Sequence, residues 1–357
     1  MNNSEINDIR NQSHFKGISF SKYKKTDVRT QFIESMRNNK IEPACYWCAE
    51  LICAGHYMEV WETILHFVGK HIHLGNPKIV IYLEKRFIIF RNIISQGHFL
   101  NELQLRNNIS IRKLFAEIVC ILTISNKKNS FEPIKINRIE EFDIAQMTER
   151  LKAPSTKYID SIFKSKDPKE IFIALNEFAY SVSNEQSNMV NACYWIEWII
   201  EFDAICKKKK EPCLCEKRVE YDVDHSLQRD IIWIVWDIIL YYSNNNNNTY
   251  NNTILNSLLS LFCIKYTNAT SRKRRYLLYF AVSLITEFVP TNIEMITDKV
   301  LLNTVVEQIN NIYTQIKVNE ESPNTEYLFS NLDTKNTFEQ SMKKMEIMNS
   351  IIQNDNK

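Results

Sequence analysis

Four residues of the types that bind zinc lie close together in the second half of the sequence: Cys206, Cys213, Cys215 and His225. Three thiolates and one imidazole would complete the tetrahedral ligand shell that zinc prefers in proteins. Zinc sites usually take two ligands separated by about two to four residues within one turn, whereas a single residue separates Cys213 from Cys215. We therefore favour buried thiols here, keep zinc as the alternative, and expect no other cofactor.

A second cysteine pair, Cys45 and Cys48, forms a C-x-x-C motif just inside a predicted helix N-terminus. A helix dipole stabilises a thiolate at such a position, so redox chemistry is one interpretation. The motif follows the polar residues 38–40 rather than a strand, however. A later copy of the same sequence has Ile196 in place of Cys48, which indicates apolar surroundings and favours buried thiols.

Histidines are concentrated around one predicted helix, at His56, His66, His71 and His73, with Glu62 one helical turn from His66. The order H-E-x-x-H that a zinc protease requires is absent, so we interpret these rings as packing groups. The sequence also lacks G-x-x-x-x-G-K-[ST], G-x-G-x-x-G and G-x-S-x-G, which argues against nucleotide hydrolysis and serine-hydrolase chemistry. We predict that the chain is not an enzyme.

Two short basic runs are candidate contacts for nucleic acid. They comprise Lys207, Lys208, Lys209 and Lys210, and Arg272, Lys273, Arg274 and Arg275. Each run has enough charge to neutralise several phosphates in a salt-sensitive and sequence-independent way. Arginines at a predicted helix start oppose the helix dipole unless an anion compensates, which favours a functional role. A solvated surface is the competing interpretation, and nearby tryptophans are expected to pack in the core.

Composition limits the class of protein. The 357 residues are 45% hydrophobic and 24% charged, which is typical of a globular chain with a substantial core. Only five glycines are present, and this shortage favours long helices over strands joined by tight turns. The longest apolar runs fall short of the about 20 residues that cross a bilayer, and no signal peptide is recognisable, so we expect an intracellular protein without a membrane partner.

The tetrapeptide Ala-Cys-Tyr-Trp occurs at residues 44–47 and again at 192–195, each time opening an apolar run with helical spacing. A basic pair precedes a later apolar helix in both halves, at Arg112-Lys113 and at Arg274-Arg275. Matching elements in the same order predict a tandem duplication. The expected fold is all-α, with two duplicated helical bundles packed together.

The predicted organisation has five parts. They are a polar, loosely held segment 1–28, a helical unit 29–125, a connector 126–165, a second helical unit 166–321 with a terminal helix, and a polar tail 322–357. Residues 167–170 are expected to start a helix with Asp167 as its cap. The asparagine run 244–248 predicts a surface loop, and the isoleucine-rich residues 78–83 permit either a helix or a strand.

Residues 44–56, continuing to 71–77, resemble the helical C-terminal collar of clamp-loader-related replication and recombination ATPases. The matching features are an Ala-x-Tyr-Trp helix, a glycine turn and a later Ile-x-Leu-x-x-Pro segment. The resemblance covers none of an ATPase module and only the tetrapeptide of the second half. It implies a scaffold or subunit-contact role.

The whole chain, through residues 72–78 and 192–210 in particular, also resembles uncharacterised proteins of nucleocytoplasmic large DNA viruses. This resemblance implies a location in the host cytoplasm, the virus factory or the virion. Together these features predict a non-enzymatic interaction scaffold that binds proteins of viral DNA replication, repair or transcription, or nucleic acid itself, and that could form homo-oligomers. The alternative is a structural or virion-associated protein that does not bind nucleic acid.

Overall fold

Apolar residues at spacings of three and four recur along most of the chain, and such stripes are buried by packing helices against one another. The computed structural model describes residues 4–97, 102–138, 140–142, 148–246, 248–321 and 342. Within these ranges the chain is all-α and contains no strand, so the predicted fold class is confirmed. Apart from residue 342, the predicted polar tail 322–357 lies outside the described residues.

The described part of the first half forms a run of α-helices joined by short turns. They are α1 (Lys25–Arg37), α2 (Ile41–Cys53), α3 (Tyr57–Phe67), α4 (Ile79–Gln96) and α5 (Ile109–Ile124). The start of α4 covers the isoleucine-rich segment, so a strand there is excluded. After α3 the chain continues as a π-helix (Val68–Ile72), and a 3₁₀-helix (Glu102–Asn107) precedes α5.

The second half follows a similar course. Its α-helices are α6 (Phe172–Val182), α7 (Met189–Lys209), α8 (Ile232–Asn245), α9 (Thr249–Cys263), the short α10 (Thr270–Lys273), α11 (Arg275–Thr286) and α12 (Lys299–Lys317). The predicted surface loop at the asparagine run is confirmed at Asn246 and Asn248, which are exposed between α8 and α9, and Asn247 lies outside the described residues. Asn244 and Asn245 complete α8, and the Asn248 side chain caps α9 by accepting a hydrogen bond from Asn251 N at 3.1 Å.

The two halves pair their helices in the same order. Helix α1 packs against α2 as α6 packs against α7, and α2 contacts α5 as α7 contacts α11. In both tetrapeptides the tyrosine and tryptophan rings meet edge to face, with centroids 5.2 Å apart in one copy and 5.1 Å in the other. The two halves meet where α4 packs against α9. Duplication remains a prediction that these pairings favour.

The N-terminal segment is part of the core, contrary to the prediction of a loosely held end. Ile6, Phe15 and Phe20 are buried. The guanidinium of Arg10 donates to the Phe20 carbonyl at 3.0 Å and to the Asn319 carbonyl at 3.1 Å, and so joins the two ends of the described chain. The segment was predicted to be loose because its few apolar residues follow no helical period.

Helix α12 was predicted to belong with the second unit but packs on α2 and α5 of the first. The buried Arg112 guanidinium lies 4.0 Å from the centre of the Tyr313 ring on α12 and donates to Asn310 Oδ1 at 3.1 Å. The position of α12 depends on long-range packing, which order along the sequence does not reveal. Its apolar stripe covers apolar surface of the first half.

A close approach fixes how the two halves meet. Gly69, in the π-helix after α3, lies against the backbone of Tyr276 on α11, and a Cβ at this glycine would be 2.9 Å from the Tyr276 carbonyl carbon. A side chain would therefore push the two helices apart. The halves thus form one packed body in which α4 and α9 hold fixed positions.

Candidate functional site

A concave surface lies between α4 and the C-terminal end of α9. Its volume is about 640 Å³, within the range of ligand and partner pockets. The groove is lined mainly by apolar and aromatic side chains, among them Phe87, Phe90, Leu105, Leu261 and Ile264. We call this surface the α4–α9 groove.

The outer side of α4 leaves large apolar side chains in solvent. Ile88 is 50% exposed, Ile94 38% and Ile89 37%, and the first two line the α4–α9 groove. Such residues are common singly on protein surfaces, but a cluster beside an apolar groove is typical of a binding surface. The core-facing side of α4 is held in place by contacts with α5 and α9.

Charged residues of both signs line the same groove. Glu84 accepts a hydrogen bond from Ser257 Oγ at 2.6 Å, and Glu102 accepts one from Gln12 Nε2 at 3.2 Å. Arg91, Lys265 and Asp222 are exposed and make no ion pair with any described residue. The groove therefore offers an apolar floor together with charged groups, three of which have no ion-pair partner among the described residues.

Half of the residues in the two predicted basic runs make internal ion pairs. Lys207 pairs with Asp203 at 2.6 Å and Asp230 at 3.4 Å, Arg272 pairs with Glu201, and Arg275 pairs with Glu197 at 2.8 Å. These carboxylates neutralise basic side chains for which the sequence alone indicated no anionic partner. Lys208, Lys209, Lys210 and Lys273 are exposed and have no ion pair within the described residues.

Arg274 is buried and unsuited to contact a polyanion, contrary to its predicted role. Its Nη2 and Nε donate to the two carboxylate oxygens of Glu62 on α3, the Nε bond measuring 3.2 Å. Its Nη1 donates to the Phe262 carbonyl at 2.7 Å and the Leu261 carbonyl at 3.3 Å. The side chain thus joins α3 to the C-terminal end of α9.

Zinc binding by Cys206, Cys213, Cys215 and His225 stays a prediction, which their grouping in the structure does not support. No group of three or more His, Cys, Asp or Glu side chains suited to a metal ion occurs among the described residues. The Cys215 thiol is buried and donates to the Asp230 carbonyl at 3.4 Å, whereas the exposed His225 lies beside Gln228. Burial raises the pKa of Cys213 and of Cys215 to about 12, so both remain thiols.

The Cys45 and Cys48 side chains are buried against α5 and α12. Burial raises the pKa of Cys45 to about 12 and that of Cys48 well above its ordinary value. A redox pair needs an accessible sulfur with a lowered pKa, so this environment favours the packing interpretation.

The four histidine side chains lie in different environments and do not share a contact partner among the described residues. His56 Nε2 lies 2.8 Å from the Ile18 carbonyl, and His71 Nδ1 lies 3.1 Å from Asn129 Oδ1. His73 stacks on Phe280 with ring centres 4.8 Å apart, and its backbone φ of 47° is strained for a residue with a side chain. His66 meets Tyr276 edge to face at 5.2 Å. They serve as contacts between elements.

Sequence reasoning missed a buried charge cluster centred on Arg218. This side chain is fully buried, donates to both Asp167 oxygens at 2.7 and 3.0 Å, and donates to Asp237 at 2.7 Å. The predicted cap at Asp167 is therefore wrong, because this carboxylate accepts from Arg218, Lys164 N and Glu216 N instead. The cluster fastens the loop that carries the predicted zinc ligands, and no local motif indicates it.

Comparisons with known proteins add no relative. No protein-family model, no curated protein and no solved structure matches this chain. No helix within the described ranges is both long and apolar enough to cross a membrane. The resemblances to a clamp-loader collar and to large-virus proteins therefore remain predictions.

Burial of His66 makes stability depend on pH. Burial lowers the pKa of His66 to about 4, so the folded state excludes a proton that the unfolded chain binds below about pH 6.5. We expect the free energy of unfolding, measured with urea, to fall between pH 7 and pH 4.5. His66→Phe keeps the ring contact with Tyr276 and should reduce this fall by roughly 1–2 kcal/mol. The exposed His225→Gln is the control, and equal pH slopes in all three proteins would contradict the assignment.

Proposed function

We propose that this chain is a non-enzymatic interaction scaffold whose main contact surface is the α4–α9 groove. The observation that carries the proposal is the combination of an apolar groove with partly exposed isoleucines on α4. Contact between apolar side chains and water is unfavourable in free energy. A partner that covers these side chains removes this unfavourable contribution. A rigid helical body that presents such a surface is suited to binding.

The environments of the reactive side chains support a binding role. Burial raises the pKa of Cys45 to about 12 and lowers that of His73 to about 4, so neither is poised to act as nucleophile or base near neutral pH. Both side chains also pack within the core instead of lining the groove.

The setting that we propose follows from the resemblances described above. It is replication, repair or transcription of a large DNA virus in the host cytoplasm or virus factory, with viral proteins as partners. The alternative setting is the virion, where the same surface would join the protein to neighbouring structural subunits. Both settings use the α4–α9 groove in the same way.

Contact with nucleic acid is a second candidate function, favoured by one observation. Lys208, Lys209 and Lys210 are exposed at the C-terminal end of α7, while Lys207 is held by two carboxylates. Lysines at a helix C-terminus also compensate the helix dipole, which is the competing reason for their presence.

The groove can be tested with a small neutral apolar probe, N-phenyl-1-naphthylamine. We expect one saturable site per chain by fluorescence titration at protein concentrations where sedimentation shows the chain to be monomeric. Ser260→Trp, which places an indole inside the groove, should weaken binding by at least about tenfold because it fills the space that the probe uses. Thr253→Trp, an exposed position on α9 that does not line the groove, is the matched control. Absence of saturable binding to the monomeric chain, or equal affinity in the two variants, would remove the support for a binding groove.

Nucleic-acid contact can be tested by fluorescence anisotropy with single- and double-stranded DNA across a salt series. If the three exposed lysines contact phosphates, their joint replacement by glutamine should weaken binding and lower the slope of log K against log salt by about 2–3. Lys207 is left intact because it holds Asp203 and Asp230. Lys85→Gln, an exposed lysine on α4, is the control. No binding by the wild-type chain at low salt would exclude this second function.

A further inference from the structure

The groove-facing side of α4 has a pattern that identifies a partner. Besides the more deeply buried Phe90, α4 contributes residues at positions 84, 87, 88, 91, 94 and 95 to the lining of the groove. These spacings of three and four form one continuous stripe along the helix, as in helices that pack against another helix. We propose that the occupant of the α4–α9 groove is α4 of a second copy of this chain, packed antiparallel about a two-fold axis.

The charges on the stripe are self-complementary. Helix α4 spans residues 79–96, so its centre falls between Phe87 and Ile88. In an antiparallel pair centred there, residue 84 lies opposite residue 91 of the second copy. Glu84 of each copy then meets Arg91 of the other, which forms two equivalent ion pairs around one axis. Arg91 has no ion-pair partner within its own described chain, so this contact would satisfy it.

The apolar residues match in the same register. Phe87 lies opposite Ile88 of the second copy, at the axis, and Ile94 lies opposite Ile81. Ile88 and Ile94 are the exposed isoleucines that line the groove, and Ile81 is partly buried at the other end of α4. One alignment therefore covers the two exposed isoleucines that line the groove and pairs the opposite charges, as a two-fold interface requires.

Other features favour this partner over a polyanion. The groove carries three carboxylates, Glu84, Glu102 and Asp222, against two cations, Arg91 and Lys265. A strongly anionic partner would meet this excess of negative charge, whereas a second copy brings both signs in complementary positions. Helix α4 is also already ordered by its contacts with α5 and α9, so pairing would not have to order a flexible segment.

The test reverses the two charges by mutation and measures the mass in solution by sedimentation velocity. The mass of one chain is 42.3 kDa. We expect the wild-type chain to sediment at twice this mass, and Glu84→Arg and Arg91→Glu to sediment each as monomers because like charges then face each other. An equimolar mixture of the two variants should form dimers again, since the two arginines of one variant then meet the two glutamates of the other. Lys85→Glu, on the same helix but outside the groove, should dimerise like the wild type.

Circular dichroism melting establishes that each variant is folded before its mass is interpreted. A wild-type chain that stays monomeric up to about 100 μM, well above the dissociation constants of stable dimers, would overturn the proposal. So would single variants that dimerise as the wild type does, or a mixture of folded variants that remains monomeric.

This inference rests on the proposed binding role of the groove, and the two can fail separately. If the chain is monomeric and the naphthalene probe still binds beside Ser260, the second copy is the wrong occupant and a different protein takes its place. If the chain is monomeric and the probe does not bind, the groove has no binding role at all.

Discussion

The buried guanidinium of Arg274 is the interaction on which the arrangement of the two halves depends. It joins Glu62 of α3 to the last carbonyls of α9, at Leu261 and Phe262. A helix end leaves carbonyl groups without partners, and a charged donor satisfies them strongly. Because Leu261 lines the groove that α9 forms with α4, this one side chain links the junction of the halves to the candidate binding surface.

The surrounding contacts depend on the same geometry. Arg275 and Tyr279, one helical turn apart on α11, both bind Glu197 of α7, at 2.8 and 2.6 Å. Next to these contacts, Gly69 approaches Tyr276 so closely that residue 69 has no room for a side chain. Displacement of Arg274 would leave the Glu62 carboxylate, whose side chain is 26% exposed, and two carbonyls of α9 without their donor, and such losses are destabilising.

The helices could be predicted from the sequence, because the apolar periodicity that indicates a helix is a local feature. The two Ala-Cys-Tyr-Trp copies lie in α2 and α7, and each helix begins within a few residues of its tetrapeptide, as the helical spacing predicted. Periodicity also places each buried face, since the side of a helix that is apolar must be covered.

The environments of the charged side chains could not be predicted from the sequence in the same way. Lys208 and Arg274 belong to equally basic runs, yet one is in solvent and the other is buried, because the carboxylate that binds Arg274 lies 212 residues earlier in the chain. The role of Arg218 could not be predicted either, since Asp167 has the local pattern of a helix cap. The α4–α9 groove combines Leu105 with Leu261, and no local pattern brings such residues together.

The most direct measurement is the free energy of unfolding of Arg274→Met against that of Arg272→Met, by urea denaturation, with hydrogen exchange of residues 257–264. The loss of a buried charge pair predicts a cost of about 3 kcal/mol or more for Arg274→Met, with faster exchange at the end of α9. The exposed pair of Arg272 should cost roughly 1 kcal/mol or less. Equal costs for the two variants, or unchanged exchange in Arg274→Met, would contradict the claim that this arginine holds the two halves and the groove together.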